Sequence, residues 1–122
     1  MIQCSDHYLL LQRATNQLWT LAPGGKLEPA ETPLQAAVRE TFEETSIPLT
    51  PAQLRFLATY YFRYPEIDYP LHIFHATLPS RPTIILVPQE HTEYKWASIN
   101  DALSLPLTRG SHECMEYLIS LL

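Results

Sequence analysis

Residues 25–47 read GKLEPAETPLQAAVRETFEETSI and contain the clearest helix signal in the chain. Thr32 is placed to cap a helix, Pro33 suits its first turn, and Gln35 completes a capping box of the Thr-x-x-Gln type. Pro48 cannot continue a helix, so the helix is predicted to end before it. The stretch therefore predicts one long helix that follows a glycine-containing loop.

Two faces of this predicted helix differ in character. One face has the spacing i, i+3, i+4, i+7 and i+8 that is typical of a core-facing stripe, and it consists of Leu34, Ala37, Val38, Thr41 and Phe42. The adjoining face carries Glu40, Glu43 and Glu44 close to the negative end of the helix macrodipole. Each carboxylate near that end destabilises the helix by about 0.3–1 kcal/mol, and repulsion between neighbouring carboxylates adds to this cost. A solvated acidic helix end explains such a cluster, and so does a divalent cation bound among the carboxylates.

Length and composition indicate one globular domain over residues 1–122. Apolar residues make up 46% of the chain and charged residues 17%, which is enough apolar material for a core. The formal net charge of −5 argues against a protein that grips nucleic-acid backbone, because that task requires a basic face. A small phosphate-bearing molecule is compatible with this charge when cations lie between the two negatives.

Cysteine usage and hydropathy predict a cytoplasmic protein. Cys4 and Cys114 lie far apart and match no metal-ligand spacing, so we expect two buried thiols and no disulfide. No apolar run of the sequence approaches the roughly 18–20 residues that span a bilayer. The N-terminal segment lacks a basic stretch followed by a long apolar one, so no secretory signal is expected.

Apolar and aromatic runs predict most of the strands. Five strands are predicted, at 8–13, 18–21, 54–64, 71–78 and 93–99, and a further run at 83–87 is a strand by composition alone. Connections are predicted at 22–31 and 66–70. A capping signature at 50–53 predicts a single short turn, and Ser98 is placed to open a short helix over 99–104.

A terminal amphipathic helix is predicted over residues 111–122. Its inward face is expected to consist of Cys114, Tyr117, Leu118 and Leu121. Strands, one long helix, more strands and a last helix together predict an α/β or α+β sandwich.

The spacing of the charged residues in 25–47 resembles the Nudix box, G-x5-E-x7-R-E-U-x-E-E-x-G-U, in which U is a bulky aliphatic residue. The positions that fall in register are Gly25, Glu31, Arg39, Glu40, Glu43, Glu44 and Ile47. The flanking PGG and the later EHTEYKW are also similar to Nudix sequences. The resemblance implies the Nudix fold, with a mixed β-sheet between helices.

Three positions near or within the box depart from the family pattern. Thr41 replaces a usual aliphatic residue, which should mostly affect packing. Ser46 replaces the glycine that ends the helix with a positive φ, at a cost of about 1 kcal/mol. Ala30 stands where a glycine commonly precedes the first glutamate, which is expected to stiffen the loop. None of these changes removes a carboxylate.

The resemblance implies a metal-dependent hydrolase. The residues similar to the family's ligands of Mg²⁺ or Mn²⁺ are Gly25, through its carbonyl, and the catalytic glutamates Glu40, Glu43 and Glu44. Arg39 and Glu31 are similar to an internal salt bridge that supports the site. The implied reaction is attack of water on a diphosphate linkage in a nucleoside diphosphate joined to another group. Nucleoside triphosphates, dinucleoside polyphosphates and nucleotide sugars all belong to this class.

The general base stays open between a glutamate of the box, Glu90 in PQEHTEYKW, and Glu93 behind it. Glu90 is the leading loop candidate, provided that it reaches the attacking water. His91 beside it could contact phosphate, although single histidines are more often structural.

Substrate contacts are predicted at Lys26, Arg63 and Tyr64. An aromatic of segment 59–69 could stack on a base, although alternating aromatics in a strand more often form core. A tyrosine at position 64 resembles the diadenosine polyphosphate hydrolase branch, and Pro65 keeps an ADP-ribose-type substrate open. The small size equally suits a MutT-like nucleoside triphosphate pyrophosphohydrolase.

Other functions and assemblies stay open at this point. A non-catalytic Nudix-like module that binds nucleotide or a protein partner is the main alternative, and a plain acidic scaffold is the third. A small-molecule nucleotide is the expected partner, without nucleic-acid backbone or membrane, and a homodimer is one open state. The first strand is short for the family, so residues 1–4 either supply it or follow further chain.

Overall fold

The computed structural model describes residues 1–21, 27–64 and 67–122, with the backbone alone at 62–64 and 67–69. The strands in these ranges are β1 (Ile2–Cys4), β2 (His7–Arg13), β3 (Trp19–Leu21), β4 (Arg55–Tyr64), β5 (Ile67–Leu78) and β6 (His91–Ala97). The helices are α1 (Pro33–Thr45), α2 (Ile99–Leu103) and α3 (Ser111–Ile119), and a 3₁₀ turn covers Pro51–Gln53. Five predicted strands and all predicted helical segments are therefore confirmed. None of the described helices is both long and apolar enough to cross a membrane.

Strand β2 is the centre of the sheet because it pairs antiparallel with β1, β3 and β6. Strand β1 runs parallel to β5, with Gln3 opposite Thr77. Strand β5 in turn pairs antiparallel with β4. A parallel pair requires a long crossover connection, and α1 lies in the chain between β1 and β5. The sheet is therefore mixed, as predicted.

Side chains on β2 alternate between two cores, one on each side of the sheet. Leu11 packs on one side with Ile47, which follows α1. Leu10 points to the other side and packs with Ala102 of α2 and Met115 of α3. Helical segments thus cover both faces of the sheet, which confirms the predicted sandwich.

The ends of α1 form as the sequence predicts. The amide of Gln35 donates to the Thr32 hydroxyl oxygen at 3.1 Å, and the amide of Thr32 donates to the Gln35 side chain at 2.9 Å. Ser46 ends the helix in the left-handed region with φ 64°, and its amide donates to the carbonyl of Phe42. The capping box and the glycine-like role of Ser46 are both confirmed.

The buried face of α1 differs from the predicted stripe. Phe42 was expected in the core, and this prediction is wrong because 56% of the residue is exposed. Thr41 is buried as predicted, and the other buried residues of the helix are Ala36, Glu40 and Thr45. The hydroxyls of Thr41 and Thr45 donate to carbonyls one turn back, so these buried groups are satisfied within the helix. Small side chains leave room between α1 and the sheet, and Glu40 turns inward with them.

The run at 83–87 forms no strand among the described residues, so its prediction from composition is wrong. Ile84 and Leu86 pack on the core beside α1. The amide of Ile85 donates to the carbonyl of Thr45 at 2.9 Å. A run of apolar and β-branched residues favours a strand, but a strand also requires backbone partners along its whole length. This segment bonds instead to the end of a helix.

The hairpin of β4 and β5 is longer than predicted. Strand β5 begins at Ile67, so the predicted connection over 66–70 is wrong. Tyr64 lies opposite Ile67, and the ladder continues along both strands from there. The aromatic and aliphatic residues of this segment are compatible with a strand, which the turn-like proline and acidic residues obscured.

Helix α3 buries part of its predicted inward face. Cys114 and Leu118 are buried as predicted. Tyr117 is 44% exposed and Leu121 is 42% exposed, so both were assigned wrongly. Tyr117 instead packs at the edge, with its ring 5.9 Å from that of Tyr60. Leu121 lies beyond the helix end at Ile119, where the helical spacing no longer applies.

We expect Ser46→Gly to stabilise the protein. Glycine adopts a φ of 64° without the Cβ clash of serine, although it also adds freedom to the unfolded chain. The net rise in the free energy of unfolding should reach about 0.5–1 kcal/mol, measured by urea titration. Ser104→Gly is the matched control, because Ser104 ends α2 at φ −87° and gains nothing from glycine. A Ser46→Gly variant less stable than the wild type would contradict this expectation.

Candidate active site

Arg39 is the centre of the polar contacts around α1. Its Nε atom donates to Glu31 at 2.7 Å, and its Nη2 atom donates to the other oxygen of the same carboxylate at 2.9 Å. This two-pronged pairing requires a planar guanidinium, which a lysine cannot provide. The amide of Glu28 donates to the same carboxylate at 3.0 Å. The pair, which the family resemblance implies, thus ties the segment before α1 to the middle of the helix.

These hydrogen bonds shift the pKa of both partners. The Arg39 guanidinium and then the Glu28 amide lower the pKa of Glu31 from 4.5 to about 2. The Glu31 carboxylate in turn raises the pKa of Arg39. The stability contributed by Glu31 is present above pH 4.5 and is lost as the pH falls towards 2. The ion pair is therefore intact across the neutral range.

Arg39 also reaches carboxylates on the exposed side of the helix. Its Nη1 atom donates to Glu43 at 3.0 Å and lies 3.7 Å from Glu28. Both of these glutamate side chains are more than half exposed, so each contact contributes little by itself. The guanidinium nevertheless offsets part of the repulsion among the acidic side chains.

Glu40 is the buried carboxylate of the group, with 7% of the residue exposed. Burial raises its pKa from 4.5 to about 7, opposed by Arg39 and reinforced by Glu31 and Glu43. Arg39 Nη2 lies 3.5 Å from Glu40, too far for a strong hydrogen bond. A carboxyl group that titrates near neutrality beside a cavity is typical of functional sites.

A cavity of about 990 Å³ lies beside this face of α1. Glu40 and Glu44 line it from the helix. Arg13, at the end of β2, and Glu90 and His91, at the start of β6, line it from the sheet. The volume suits a drug-sized or nucleotide-sized molecule. Acidic residues some fifty positions apart in the chain therefore share one cavity.

The two loop candidates for the general base occupy different positions. Glu90 lines the cavity, and its backbone is held by two bonds of 2.9 Å, from its amide to Val87 and from the Ala14 amide to its carbonyl. Glu93 lies opposite Gln12 in the ladder of β2 and β6 and is not among the described residues of the cavity wall. The arrangement favours Glu90.

Arg13 and Arg109 line the cavity but were not selected from the sequence. Arg13 is the last residue of an apolar strand, and Arg109 precedes the first residue of α3 by two positions. A charge at the end of an apolar strand is the only local signal, and it is common on protein surfaces. Their place in the cavity depends on tertiary packing.

Several predicted site residues lie outside the description. Gly25 and Lys26 are outside the described residues, and so are the side chains of Arg63 and Tyr64, whose backbone belongs to β4. The structure therefore brings together Glu40, Glu44 and Glu90 of the predicted set, with Arg39 and Glu31 beside them.

The described side chains show how far the predicted metal site is formed by the fold. Within the described ranges, no three His, Cys, Asp or Glu side chains are grouped closely enough to hold a metal ion as they stand. Glu40 and Glu44 face the cavity, whereas Glu43 is bonded to Arg39. One or two carboxylates, completed by water and substrate phosphate, are the usual protein share of a Mg²⁺ site. The donor set fits such an ion.

The carboxylate-bearing helix on a mixed, helix-covered sheet is the arrangement that the resemblance to the Nudix family implies. A family model described as the NUDIX domain matches residues 1–118. The chain belongs to the Nudix family. The predicted fold and the predicted enzyme class, a Nudix pyrophosphohydrolase, are therefore confirmed.

Known proteins resemble the chain along nearly its whole length. The uncharacterized Nudix hydrolase YvcI of Bacillus subtilis (strain 168) is 28% identical over 120 residues, covering 98% of this chain and 75% of that protein. A Caenorhabditis elegans Ap4A hydrolase has 26% identity and a TM-score of 0.75, covering 98% of this chain and 92% of that one.

A third relative is only partly matched. A bifunctional NMN adenylyltransferase/ADP ribose pyrophosphatase from Francisella tularensis, complexed with AMP and a Mn ion, has 30% identity and a TM-score of 0.78. The match covers 98% of this chain but 39% of that protein.

We expect Glu40→Gln to stabilise the metal-free protein at neutral pH. The raised pKa of Glu40 means that its favourable contribution is present below pH 4.5 and is lost as the pH rises to about 7. Glutamine removes the buried charge, so the gain at pH 7.5 should be on the order of 1–3 kcal/mol and should vanish near pH 4.5.

Urea unfolding in EDTA at both pH values measures this difference. Glu113→Gln is the matched control, because Glu113 is an exposed helix glutamate. A Glu40→Gln variant whose stability follows the wild type at both pH values would show that the buried charge carries no such cost.

Proposed function

We propose that this protein hydrolyses a diphosphate linkage in a nucleoside diphosphate joined to another group, with Mg²⁺ or Mn²⁺ as cofactor. The observation that carries the proposal is the cavity shared by Glu40, Glu44 and Glu90. Glu40 and Glu44 lie on α1, and Glu90 lies in the turn directly before β6. Carboxylates gathered in a water-accessible cavity can hold cations and move a proton, which are the two requirements of phosphoryl hydrolysis.

Four residues are proposed to hold the metal, and they are Glu40, Glu43, Glu44 and the carbonyl of Gly25. A bound cation would neutralise phosphate oxygens and lower the pKa of a bound water. The burial of Glu40 supports this role, because the Arg39 Nη2 atom lies 3.5 Å from its carboxylate, too far for a strong hydrogen bond. Glu43 would have to exchange its bond to Arg39 for the ion, and its exposure leaves it free to move.

Glu90 is proposed as the general base. Its carboxylate would accept a proton from the attacking water, whose oxygen bonds to phosphorus as the bridging oxygen departs. Two backbone hydrogen bonds fix the turn that carries Glu90, which leaves its side chain as the moving part. Such fixed placement favours proton transfer, because catalysis depends on short contacts of the right geometry.

The substrate class rests on a chemical unit that two relatives share. An Ap4A hydrolase and an ADP ribose pyrophosphatase are each named for a molecule that contains an adenosine diphosphate unit. A cavity of about 990 Å³ has room for a nucleotide. Lys26, Arg63 and Tyr64 are proposed to contact the nucleotide. Residues 1–122 are proposed to form one catalytic domain.

A nucleotide panel tests the proposed function. ADP-ribose, diadenosine tetraphosphate and the nucleoside triphosphates are incubated with Mg²⁺ or Mn²⁺, and products are identified by mass. We expect hydrolysis of at least one compound, and we expect Glu40→Gln, Glu43→Gln and Glu44→Gln each to lower kcat/KM by roughly 100-fold or more. Glu113→Gln should leave it unchanged.

Two other results would replace the proposal. A silent panel in which nucleotides still raise the melting temperature indicates a binding module. A melting temperature that responds to neither nucleotide nor divalent cation indicates an acidic scaffold.

Glu90→Gln and Glu93→Gln together identify the general base. We expect Glu90→Gln to lower kcat by about 10²–10⁴-fold with little change in KM. Glu93→Gln should retain kcat, because Glu93 lies on the ladder opposite Gln12 and outside the described cavity wall. Equal losses in both variants, or none in either, would move the base to a glutamate of the box.

A further inference from the structure

His91 is a buried residue with one ring nitrogen, Nδ1, that the described part of the fold does not use. It is the first residue of β6, and 8% of it is exposed. Its Nδ1 atom is sealed from solvent and has no hydrogen-bond partner among the described residues. Buried polar atoms are nearly always paired, so an exception requires an explanation.

An irregularity in the sheet brings His91 to its present side. Gln12 lies opposite Glu93, but the next residue, Arg13, lies opposite His91, so Thr92 is an extra residue in the ladder. A bulge of this kind re-aims the side chain that follows it. Without it, Arg13 would face Thr92, and His91 would occupy the side of the sheet that Gln12 faces.

The side that receives His91 is the side of the candidate active site. Arg13 and Leu11 alternate with Gln12 along β2 and therefore share a face. Leu11 packs with Ile47, the residue that follows the end of α1. His91 lines the same cavity as Glu40, which faces it from the helix.

We propose that His91 binds the substrate by donating a hydrogen bond from Nε2 to an oxygen of the diphosphate. This inference rests on the proposed function and names a contact within that site. Nδ1 is the ring nitrogen sealed in the protein, which leaves Nε2 as the nitrogen available to the cavity that His91 lines. Placing the single proton of a neutral ring on Nε2 leaves an unused lone pair at Nδ1, rather than an unpaired buried donor.

The electrostatics of the cavity agree with a neutral donor. Burial lowers the pKa of His91 below its ordinary value, with Glu90 opposing the shift and Arg13 adding to it. The ring is therefore uncharged at neutral pH. A diphosphate beside Glu40 and Glu90 meets oxygen atoms that repel it, and an N–H donor among them supplies an attractive contact without adding a charge.

Three substitutions separate this role from a packing role. The amide nitrogen of glutamine reaches the position of Nε2, that of asparagine reaches the position of Nδ1, and phenylalanine keeps the ring without either. We expect His91→Gln to stay within about threefold of the wild type, and His91→Asn and His91→Phe to raise KM about tenfold with a smaller change in kcat.

Binding is measured independently of turnover with α,β-methylene-ADP, which carries a diphosphate unit that the enzyme cannot hydrolyse. Calorimetry in Mg²⁺ should rank the variants by affinity as their KM values do, with about tenfold weaker binding for the asparagine and phenylalanine variants than for the wild type. The melting temperature of His91→Phe should equal or exceed that of the wild type, because the unpartnered nitrogen is gone. His112→Phe is the control, since His112 is exposed on α3 and pairs with Glu116.

Wild-type affinity in His91→Phe overturns the inference, and so does a glutamine variant no better than phenylalanine. Absence of binding to the wild type overturns it as well. Failure of the proposed function is a separate result, in which no compound of the panel is hydrolysed while the order of affinities for α,β-methylene-ADP is kept.

Discussion

The bond between Arg39 and Glu31 is the interaction on which the arrangement of the site depends. It joins the segment before α1 to the middle of the helix through two hydrogen bonds of 2.7 and 2.9 Å. The same guanidinium bonds to Glu43 and lies near Glu40. The Arg39 guanidinium thus fixes the direction of the segment before α1 and offsets part of the negative charge on the helix. The two bonds to Glu31 hold the guanidinium in a fixed plane.

The burial of Glu40 is the feature of the helix that stability alone does not explain. A buried carboxyl group with a pKa of about 7 destabilises the fold when it ionises, and a neutral residue in its place would not. The surrounding face is made of small residues, among them Ala36 and Thr41, which leave space beside the charge. Local stability rules are commonly broken at functional sites and compensated elsewhere. Here the compensation visible in the fold comes from Arg39 and from helix caps of good geometry.

Local chemistry explains which parts of the fold the sequence predicts. The capping box of Thr32 and Gln35 and the left-handed end at Ser46 depend on a few neighbouring residues, and both were predicted correctly. The predicted inward side of α1 is only partly right, since Thr41 is buried but Phe42 is exposed and Glu40 is buried in its place. Hydrophobic periodicity assumes that the most apolar face is the buried one, and a helix that lines a polar cavity violates this assumption.

The candidate site also has one part that follows from local sequence and another that depends on tertiary structure. A helix brings residues three and four positions apart close together, and the resemblance to the Nudix box selected Glu40, Glu43 and Glu44 among them. The approach of Glu90 to them depends on the ladder between β2 and β6, and the burial of His91 depends on one extra residue in that ladder. Neither leaves a trace in local composition. Long-range register therefore limits prediction of the site more than residue type does.

The hydrogen bond between the Ile85 amide and the Thr45 carbonyl has a consequence for which substitutions this sequence can accept over evolutionary time. The carbonyl of Val87, two residues further on, accepts from the amides of both Glu90 and His91, so a relay of main-chain bonds runs from the end of α1 to the turn at the cavity. Ile85 itself is 62% exposed. Almost any side chain can replace it without loosening this tether, and proline alone would cut it, since it lacks the amide hydrogen.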